Sequence, residues 1–263
     1  LRAGGRDGLR PAAQNALKGI LERTKAFDVL AAVGLPVEAD SQLFNCAAVF
    51  HKGKILGVVP KTFLANYNEF YERRWFSPAY TRQSDTVRLC GQTAPFDERL
   101  LFQSADEKLC VGVELCEDLW VPIPPSAHHA LCGANVLLNL SASNEAVTKA
   151  DYRRDIVKLQ SAKCYAAYVY SSAGRWESTT DLVFSGHSMV AENGVVAREM
   201  IYAEESSYVY ADVDVEKLMN DRRKFNSFLG GGKVQACRIA EFSRDEEPEV
   251  TPAASRAFNI SSP

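Results

Sequence analysis

The sequence predicts an α/β domain, because segments with helical periodicity alternate with short apolar segments of strand length. The chain has 263 residues, of which 46% are hydrophobic, so it is long enough to form one large domain with a sizeable core. The polar, proline-containing end of the chain shows neither the helical nor the strand periodicity. We therefore predict one domain over residues 1–242 and a linker over residues 243–263.

The first half of the chain begins with a helical pattern and continues with strands. Apolar residues recur at helical spacing between residues 10 and 26, which predicts an amphipathic helix. Runs of strand length follow at Val29–Leu35, near residues 45–50, at Ile55–Val59 and at Leu109–Leu115. A turn at Lys52-Gly53 separates the second of these runs from the third, so two neighbouring strands are expected there.

The second half of the chain alternates strands with helices, as a layered α/β domain does. In chain order we predict a strand at Ala134–Leu140, a helix at 150–163, a strand at Tyr165–Ser171, a hairpin at Met189–Val196, a strand at Ser207–Asp212 and a helix at 214–224. The hairpin prediction rests on Asn193-Gly194, because this pair is typical of a two-residue hairpin turn.

The segment VGVELCEDLW carries the strongest indication of chemistry. Its apolar run ends at Cys116, and two acidic residues follow at once. The alternation over Leu109–Leu115 predicts a strand, which places Cys116 on the turn that follows. Backbone N–H groups at such a turn lower the pKa of a thiol and favour the nucleophilic thiolate. The alternative is a buried structural cysteine, because free cysteines are among the most buried residues.

A second candidate lies upstream, where the strand Ile55–Val59 ends at Pro60. Lys61 follows immediately, and Glu69 comes eight residues later. A hydrolase with a thiol nucleophile needs a cation to stabilise an oxyanion and a carboxylate to hold that cation in place. Lys61 and Glu69 are therefore interpreted as this pair, and the alternative is that Lys61 is a solvated surface lysine.

Three segments together resemble the nitrilase, or carbon–nitrogen hydrolase, superfamily. PKTFLANYNEFYERRWF, VELCEDLW and NLSASNEAVTKADYRR occur in this order, and they are most similar to the branch formed by the glutaminase domains of glutamine-dependent NAD synthetases. The resemblance extends from about Phe44 to about Glu192. It implies the four-layer αββα sandwich of that superfamily, in which domains pair through their outer helices, so a homo-oligomer is expected.

The same resemblance implies roles for individual residues. Cys116 would be the nucleophile, Lys61 would support the oxyanion together with the backbone N–H of Glu117, and Glu69 would orient the lysine. The residues that the resemblance places in contact with glutamine are Tyr67, Glu117, Ser143 and Lys149.

The resemblance also implies a general-base glutamate at a strand end before the first long helix. The chain as given begins at that helix, and neither Asp7 nor Glu22 matches the position. We therefore expect a sandwich that lacks its first strands and is N-terminally incomplete. Because a positioned general base raises the rate by about 10²–10⁴-fold, we also expect slow hydrolysis by these residues alone. Near-normal turnover would overturn this expectation and make Glu114 or Glu117 the first candidate for a substitute base.

The implied function is hydrolysis of glutamine, which would supply ammonia for the ATP-dependent conversion of deamido-NAD to NAD. A synthetase domain, normally on the same chain, would bind ATP and Mg. The stretch Gly230-Gly231-Gly232-Lys233 lacks the spacing of a phosphate loop and predicts a flexible connector. No cofactor and no metal are expected in this domain. A free-standing amidase or carbamoylase and an inactive remnant are the alternatives.

The net charge and the cysteines indicate which partners and which cellular compartment to expect. The net charge of −3 gives no reason to expect nucleic acid or an anionic membrane as a partner. The 7 cysteines are odd in number and scattered through apolar segments, which favours reduced thiols in the cytoplasm.

Overall fold

The computed structural model of the protein describes residues 6–203, 208–230 and 235–245. Its helices are α1 (Arg6–Thr24), α2 (Pro125–Leu131), α3 (Lys149–Cys164) and α4 (Val215–Lys224). Its strands are β1 (Leu30–Ala39), β2 (Gln42–His51), β3 (Lys54–Pro60), β4 (Thr86–Leu89), β5 (Gln92–Pro95), β6 (Leu100–Ser104), β7 (Cys110–Leu115), β8 (Val136–Ser141), β9 (Ala167–Ser172), β10 (Ser188–Glu192), β11 (Val195–Met200) and β12 (Arg238–Phe242).

Apolar contacts stack these elements into the four αββα layers. Helix α1 buries Leu17 and Leu21 against the three-stranded sheet β1–β2–β3, where they contact residues such as Phe44. A second cluster lies between this sheet and the seven-stranded sheet. A third cluster packs Val157 of α3 and Ala130 of α2 on the outer face of the seven-stranded sheet. The nitrilase-type sandwich that the resemblance implies is therefore confirmed.

The two sheets approach each other closely where Gly57 of β3 faces β6. A Cβ atom at this position would lie 2.8 Å from Leu100 Cδ1 and 3.1 Å from Phe102 Cε1. Any larger residue at position 57 would therefore force the Leu100 and Phe102 side chains to move within a packed core. Close packing here fixes the end of β3, and hence the start of the loop that carries Lys61.

The strand order of the larger sheet positions the loops that follow its central strands. The order is β11-β10-β9-β8-β7-β6-β12, and β7, β8 and β9 run parallel to one another. Because carboxyl ends of parallel strands meet at one edge of a sheet, the segments after β7, β8 and β9 lie side by side. The end of β3 in the smaller sheet reaches the same region.

Most of the sequence-based elements are confirmed, with boundaries shifted by a few residues. The helix over 10–26, the helix over 150–163, the helix over 214–224 and the hairpin at Asn193-Gly194 all occur. The sequence reading missed β4, β5, β6, β12 and α2, which are short and carry weak periodicity. None of the helices within the described ranges is long and apolar enough to cross a membrane.

The strand predicted at Ser207–Asp212 is wrong over its described part. Residues 208–212 form no strand, and Tyr208 and Tyr210 are 82% and 75% exposed. The two rings stack on each other in an exposed position, so the alternation of these tyrosines does not mark a buried strand face. Ser207, Gly231–Lys233 of the predicted connector and residues 246–263 of the predicted linker lie outside the described residues.

Candidate active site

A cavity of about 1390 Å³ opens at the edge where β3, β7, β8 and β9 end. The predicted site residues that line it are Lys61, Tyr67, Glu69, Cys116, Glu117, Ser143 and Lys149. They come from three separate segments of the chain, those that follow β3, β7 and β8, so the fold brings together residues that the sequence suggested one by one. Glu114, the other candidate for a substitute base, is buried outside this lining, because its side chain lies on the opposite face of β7.

Cys116 occupies a strained turn directly after β7, at the start of the 3₁₀ turn Cys116–Trp120, here called the cysteine elbow. Its φ angle is 46°, in the left-handed region that a residue with a side chain adopts at a cost of about 1–3 kcal/mol. The backbone N–H of Cys116 donates to Asn139 Oδ1 at 3.0 Å. The backbone N–H of Leu115 donates to Asp118 Oδ2, also at 3.0 Å. Two buried side chains therefore hold the strained backbone in place.

Asp118 also ties the cysteine elbow to the loop that carries Lys61. Its Oδ1 accepts backbone N–H groups from Thr62 at 3.2 Å and from Phe63 at 2.7 Å. Burial raises the pKa of Asp118 to about 8, against the opposing effects of the Leu115 and Phe63 N–H groups and of the Lys61 charge. In the sequence Asp118 is the second of two acids that follow the cysteine, and nothing local indicates that it cross-links two loops.

Lys61 is 3% exposed, and its Nζ lies 2.6 Å from Glu72 Oε2. Burial by itself would lower the pKa of Lys61, but the electrostatic interaction with Cys116 and the ion pair and hydrogen bond with Glu72 raise it above the ordinary value. Lys61 is therefore a charged donor held inside the cavity. The alternative of a solvated surface lysine is wrong.

The carboxylate that contacts Lys61 is Glu72, and the prediction that Glu69 orients the lysine is corrected accordingly. The segment from Ala65 to Glu72 closes on itself through the bonds from Glu72 N to Ala65 O at 2.9 Å and from Ala65 N to Glu72 Oε2 at 3.0 Å. This closure returns Glu72 to the lysine and leaves Glu69 within the loop. Glu72 Oε1 also accepts from Asn45 Nδ2 at 2.7 Å, so both carboxylate oxygens are occupied.

Glu69 is instead linked to Lys149, one of the residues predicted to bind the substrate. Asn144 joins the two, because its Nδ2 donates to Glu69 Oε1 and its Oδ1 accepts from Lys149 Nζ. Lys149 lies over the rings of Phe70 and Trp120, at 5.8 and 5.5 Å from their centroids. Burial, followed by the nearby Arg153 charge, lowers the pKa of Lys149. Its position in the first turn of α3 adds to this, since a helix N-terminus disfavours a cation.

Tyr67 and Glu117 face each other across the cavity. The Tyr67 hydroxyl donates to Glu117 Oε2 at 2.8 Å. Burial and then this hydrogen bond raise the pKa of Tyr67, so its hydroxyl remains a proton donor. The pair connects the loop after Lys61 to the cysteine elbow on the exposed side of the cavity.

Ser143 is positioned by Arg153, a fully buried residue of α3 that the sequence reading missed. Arg153 Nη2 donates to Ser143 Oγ at 3.3 Å and to the carbonyl of Asn144 at 2.9 Å, while Nη1 pairs with Glu145 Oε2 at 3.1 Å. One guanidinium thereby holds the whole loop after β8. In the sequence Arg153 looks like an exposed helix residue, because arginines are rarely buried without partners.

Cys116 differs from the more deeply buried cysteines of the described chain. Burial raises the pKa of Cys110 to about 11 and that of Cys164 to about 12, which suppresses their thiolates. Cys116 is partly exposed and lines the cavity. Among the described residues, no group of three or more His, Cys, Asp or Glu side chains is arranged to hold a metal ion.

Sequence comparison relates this arrangement to known proteins. The profile of the family described as "Carbon-nitrogen hydrolase" matches residues 5–223. The glutamine-dependent NAD(+) synthetase of Mycobacterium tuberculosis is 40% identical over 224 residues, which cover 84% of this chain and 33% of that protein. The synthetase of the same name from Rattus norvegicus is 28% identical over 240 residues, covering 87% of this chain and 32% of that protein. The chain thus spans about a third of the length of these relatives.

Solved structures give the same relationship at the level of the fold. A glutamine-dependent NAD(+) synthetase from Cytophaga hutchinsonii matches with a TM-score of 0.60 and 27% identity, over 75% of this chain and 32% of that chain. A carbon-nitrogen hydrolase from Helicobacter pylori G27 matches with a TM-score of 0.68 and 19% identity, over 86% of this chain and 75% of that chain. At the latter identity the likeness concerns the fold alone.

Proposed function

The chain belongs to the carbon–nitrogen hydrolase family, and from this premise we propose that it hydrolyses the side-chain amide of glutamine through a thioester on Cys116. The observation that carries the proposal is the convergence, in one cavity, of a thiol on a strained elbow and a buried, charged Lys61. We propose glutamine as the amide because relatives of this chain are named glutamine-dependent NAD(+) synthetase.

In this mechanism the Cys116 thiolate attacks the amide carbon and forms a tetrahedral oxyanion. Lys61 Nζ and the backbone N–H of Glu117 donate to this oxyanion, and each such donor is worth about 2.7–4 kcal/mol of transition-state stabilisation. The C–N bond then breaks, and the proton that the Cys116 thiol gave up passes to the leaving nitrogen, so that ammonia departs. Water attacks the thioester, its hydroxyl group completes the carboxyl group of glutamate, and one of its protons restores the thiol.

Glu72 keeps Lys61 in the orientation that this step needs. Its two oxygens already accept from Lys61, Asn45 and the backbone of Ala65, so it is engaged in holding the lysine and not in proton transfer. The raised pKa of Lys61 keeps its ammonium group charged at neutral pH. An oxyanion formed at Cys116 would therefore meet a preorganised cation, which requires no reorganisation during the reaction.

The charged groups around the cavity suit the amino-acid end of glutamine. Lys149 offers a cation for the α-carboxylate, and Glu117 offers a carboxylate for the α-ammonium group. Tyr67 and Ser143 add hydroxyl groups on either side. We assign these residues to substrate binding, because opposite charges placed at fixed positions select a zwitterion over a simple aliphatic amide.

The relatives suggest where the released ammonia goes. Because they are named NAD(+) synthetases and are about three times as long as this chain, we propose that the ammonia serves a synthetase region of the same protein. That region would use ATP and Mg to convert deamido-NAD to NAD. Assembly into a homo-oligomer and a cytoplasmic location remain predictions.

The test is glutamine turnover by the full chain, with Cys116→Ala compared with Cys132→Ser as a matched control at another partly exposed thiol. We expect Cys116→Ala to abolish glutamate release and the formation of a covalent adduct with a glutamine-like electrophile, whereas Cys132→Ser changes neither. Persistent turnover in Cys116→Ala would contradict the mechanism. Faster hydrolysis of an uncharged aliphatic amide than of glutamine would favour a free-standing amidase instead.

A further inference from the structure

A chain of buried hydrogen bonds runs from Glu114 to the backbone of Cys116. Glu114 lies on β7 and is 1% exposed, Tyr168 lies on β9 and is 0% exposed, and Asn139 lies between them on β8 and is 1% exposed. The Tyr168 hydroxyl contacts Glu114 Oε1, Asn139 Nδ2 lies 3.1 Å from that hydroxyl, and Asn139 Oδ1 lies 3.0 Å from Cys116 N. These hydrogen bonds cross three neighbouring strands and end at the backbone N–H of Cys116.

The chemistry of the groups fixes the direction of every bond in this chain. The Ser126 N–H donates to Glu114 Oε2 at 2.8 Å and the Tyr168 hydroxyl donates to Oε1, so Glu114 acts as an acceptor at both oxygens. Tyr168 gives its only proton to Glu114, and its oxygen is then free to accept the amide N–H of Asn139. Asn139 must consequently turn its carbonyl oxygen toward Cys116, where it accepts the backbone N–H.

Without Glu114, the tyrosine proton would have no fixed acceptor. The hydroxyl could then donate to Asn139 Oδ1, and a flipped amide would present its NH₂ group to the Cys116 N–H. Two donors cannot bond to each other, so the contact at the cysteine elbow would be lost. The φ angle of 46° at Cys116 makes this contact important, because a strained backbone relaxes when its partners are removed.

We propose that Glu114, Tyr168 and Asn139 are positioning residues that hold the backbone of Cys116 in the geometry for attack. This inference deepens the proposed function and rests on it for its kinetic consequence. Asn139 lines the cavity, whereas Glu114 and Tyr168 lie outside its lining, face α2 and α3, and act only through Asn139. Their effect should therefore appear in kcat, with little change in the KM for glutamine.

The experiment compares Tyr168→Phe with Ser161→Ala in the full chain. Ser161 is also fully buried, and its hydroxyl donates to the Ala166 carbonyl at 2.7 Å, so its loss removes a buried hydrogen bond outside the chain from Glu114. We expect Tyr168→Phe to lower kcat by about tenfold or more with KM within about threefold, since small displacements of a reacting group have effects of this size or larger. Ser161→Ala should leave both constants near those of the unmodified protein.

Glu114 offers a conservative rescue. Glu114→Gln keeps one acceptor oxygen, which can take either the tyrosine proton or the Ser126 N–H, whereas Glu114→Leu has about the same size and no acceptor. We expect Glu114→Leu to behave like Tyr168→Phe and Glu114→Gln to recover part of kcat. Equal losses in both Glu114 variants, matched by equal losses of thermal stability, would show a purely structural role and overturn the proposal.

A second measurement does not depend on glutamine. Amide hydrogen exchange at Cys116 should be faster by about tenfold or more in Tyr168→Phe and unchanged in Ser161→Ala, because only the former loosens the Asn139 contact. Unchanged exchange at Cys116 in Tyr168→Phe would refute the link. Faster exchange with an unchanged kcat would refute its role in catalysis. If the unmodified protein releases no glutamate, the proposed function fails. The exchange result alone then decides whether the hydrogen bonds from Glu114 to Asn139 hold the cysteine elbow.

Discussion

The cysteine elbow and the lysine loop (residues 61–76) both follow strands that end at the cavity, yet they are held by different forces. The elbow is fixed by hydrogen bonds of its backbone, because the N–H groups of Cys116 and Leu115 donate to the side chains of Asn139 and Asp118. The lysine loop is fixed by charge, through the contact of Lys61 with Glu72. The elbow should therefore respond to small changes of geometry, and the loop to the loss of a single charge.

Burial makes this difference sharper. A buried ion pair compensates the desolvation of its two members only while both are present, so removing one partner costs about 3–5 kcal/mol. A neutral hydrogen bond contributes about 0.5–1.5 kcal/mol net to stability. Removing one of its partners costs about 1–3 kcal/mol, which is less than for the ion pair. Asp118 joins the two regions by accepting the backbone N–H groups of Thr62 and Phe63, so a displacement of one region should displace the other.

The largest effect is expected for Lys61→Ala. This change removes an oxyanion donor and leaves Glu72 without its cation, so glutamine turnover should fall by at least about 10²–10³-fold. Ammonia-driven synthesis by a linked synthetase region should be retained, because the lysine serves only the amide-opening site. Glutamate release and ammonia-dependent NAD formation measure the two activities.

The exposed Lys54 on β3 provides the matched control for Lys61. Lys54→Ala should leave glutamine turnover unchanged. Parallel loss of both activities in Lys61→Ala would mean that this lysine supports the fold, and the contrast between loop and elbow would then be one of stability and not of chemistry.

The next effect separates Glu72 from Glu69. Glu72→Gln removes the charge that holds Lys61, so kcat should fall by about tenfold or more. Glu69→Gln perturbs only the contact through Asn144 to Lys149, and we expect it to change chiefly the KM for glutamine. Steady-state kinetics of both variants decide the assignment. A larger loss of kcat in Glu69→Gln would restore the sequence-based pairing.

An intermediate effect concerns Lys149 and pH. Because burial lowers the pKa of Lys149, this side chain loses its proton at a lower pH than an ordinary lysine. If it binds the α-carboxylate, the KM for glutamine should rise as the pH increases through this lowered pKa. Lys149→Arg should shift the rise to higher pH, because an arginine keeps its charge. A KM that is independent of pH in the unmodified protein would argue against this role.

The same pKa shift has a consequence for stability. Between the lowered pKa in the folded state and the ordinary pKa in the unfolded state, the unfolded chain binds more protons, so the stability contributed by Lys149 increases with pH. Below this window the full cost of burying the charge remains. Lys149→Met should therefore increase the melting temperature at neutral pH while it raises the KM. A lower melting temperature would contradict the burial argument.

The sequence indicated where Cys116 and Lys61 lie because both follow strands whose pattern is local. Apolar runs predict strands, strand ends predict loops, and parallel strands gather their carboxyl ends at one edge. The resemblance then selected further residues that the fold does bring to the cavity. The prediction failed at the partner of Lys61, since loop closure between Ala65 and Glu72 determines which acid returns to the lysine.

The supporting residues were harder to foresee. Asn139, Arg153 and Glu114 act through contacts between segments that are far apart in sequence, and an amide or a charge in an apolar run has no local feature that reveals its partner. Buried polar residues nevertheless require partners. Glu114 within the otherwise apolar VGVEL was therefore a signal, because an acid on a buried central strand has to be compensated from inside the protein.

The smallest effect is expected for Tyr67→Phe, which tests the exposed link between the lysine loop and the cysteine elbow. The change removes the hydroxyl that donates to Glu117 Oε2 at 2.8 Å and leaves the ring in place. Tyr67 is half exposed, so water can replace the lost hydrogen bond, and the KM for glutamine should rise by only about threefold with kcat unchanged. Glu117→Gln in the same assay keeps an acceptor for Tyr67 but removes the charge proposed to meet the α-ammonium group, and should raise the KM further. If Tyr67→Phe instead lowered kcat as strongly as Glu72→Gln, the two regions would depend on this outer contact, and the difference drawn between charge and geometry would not hold.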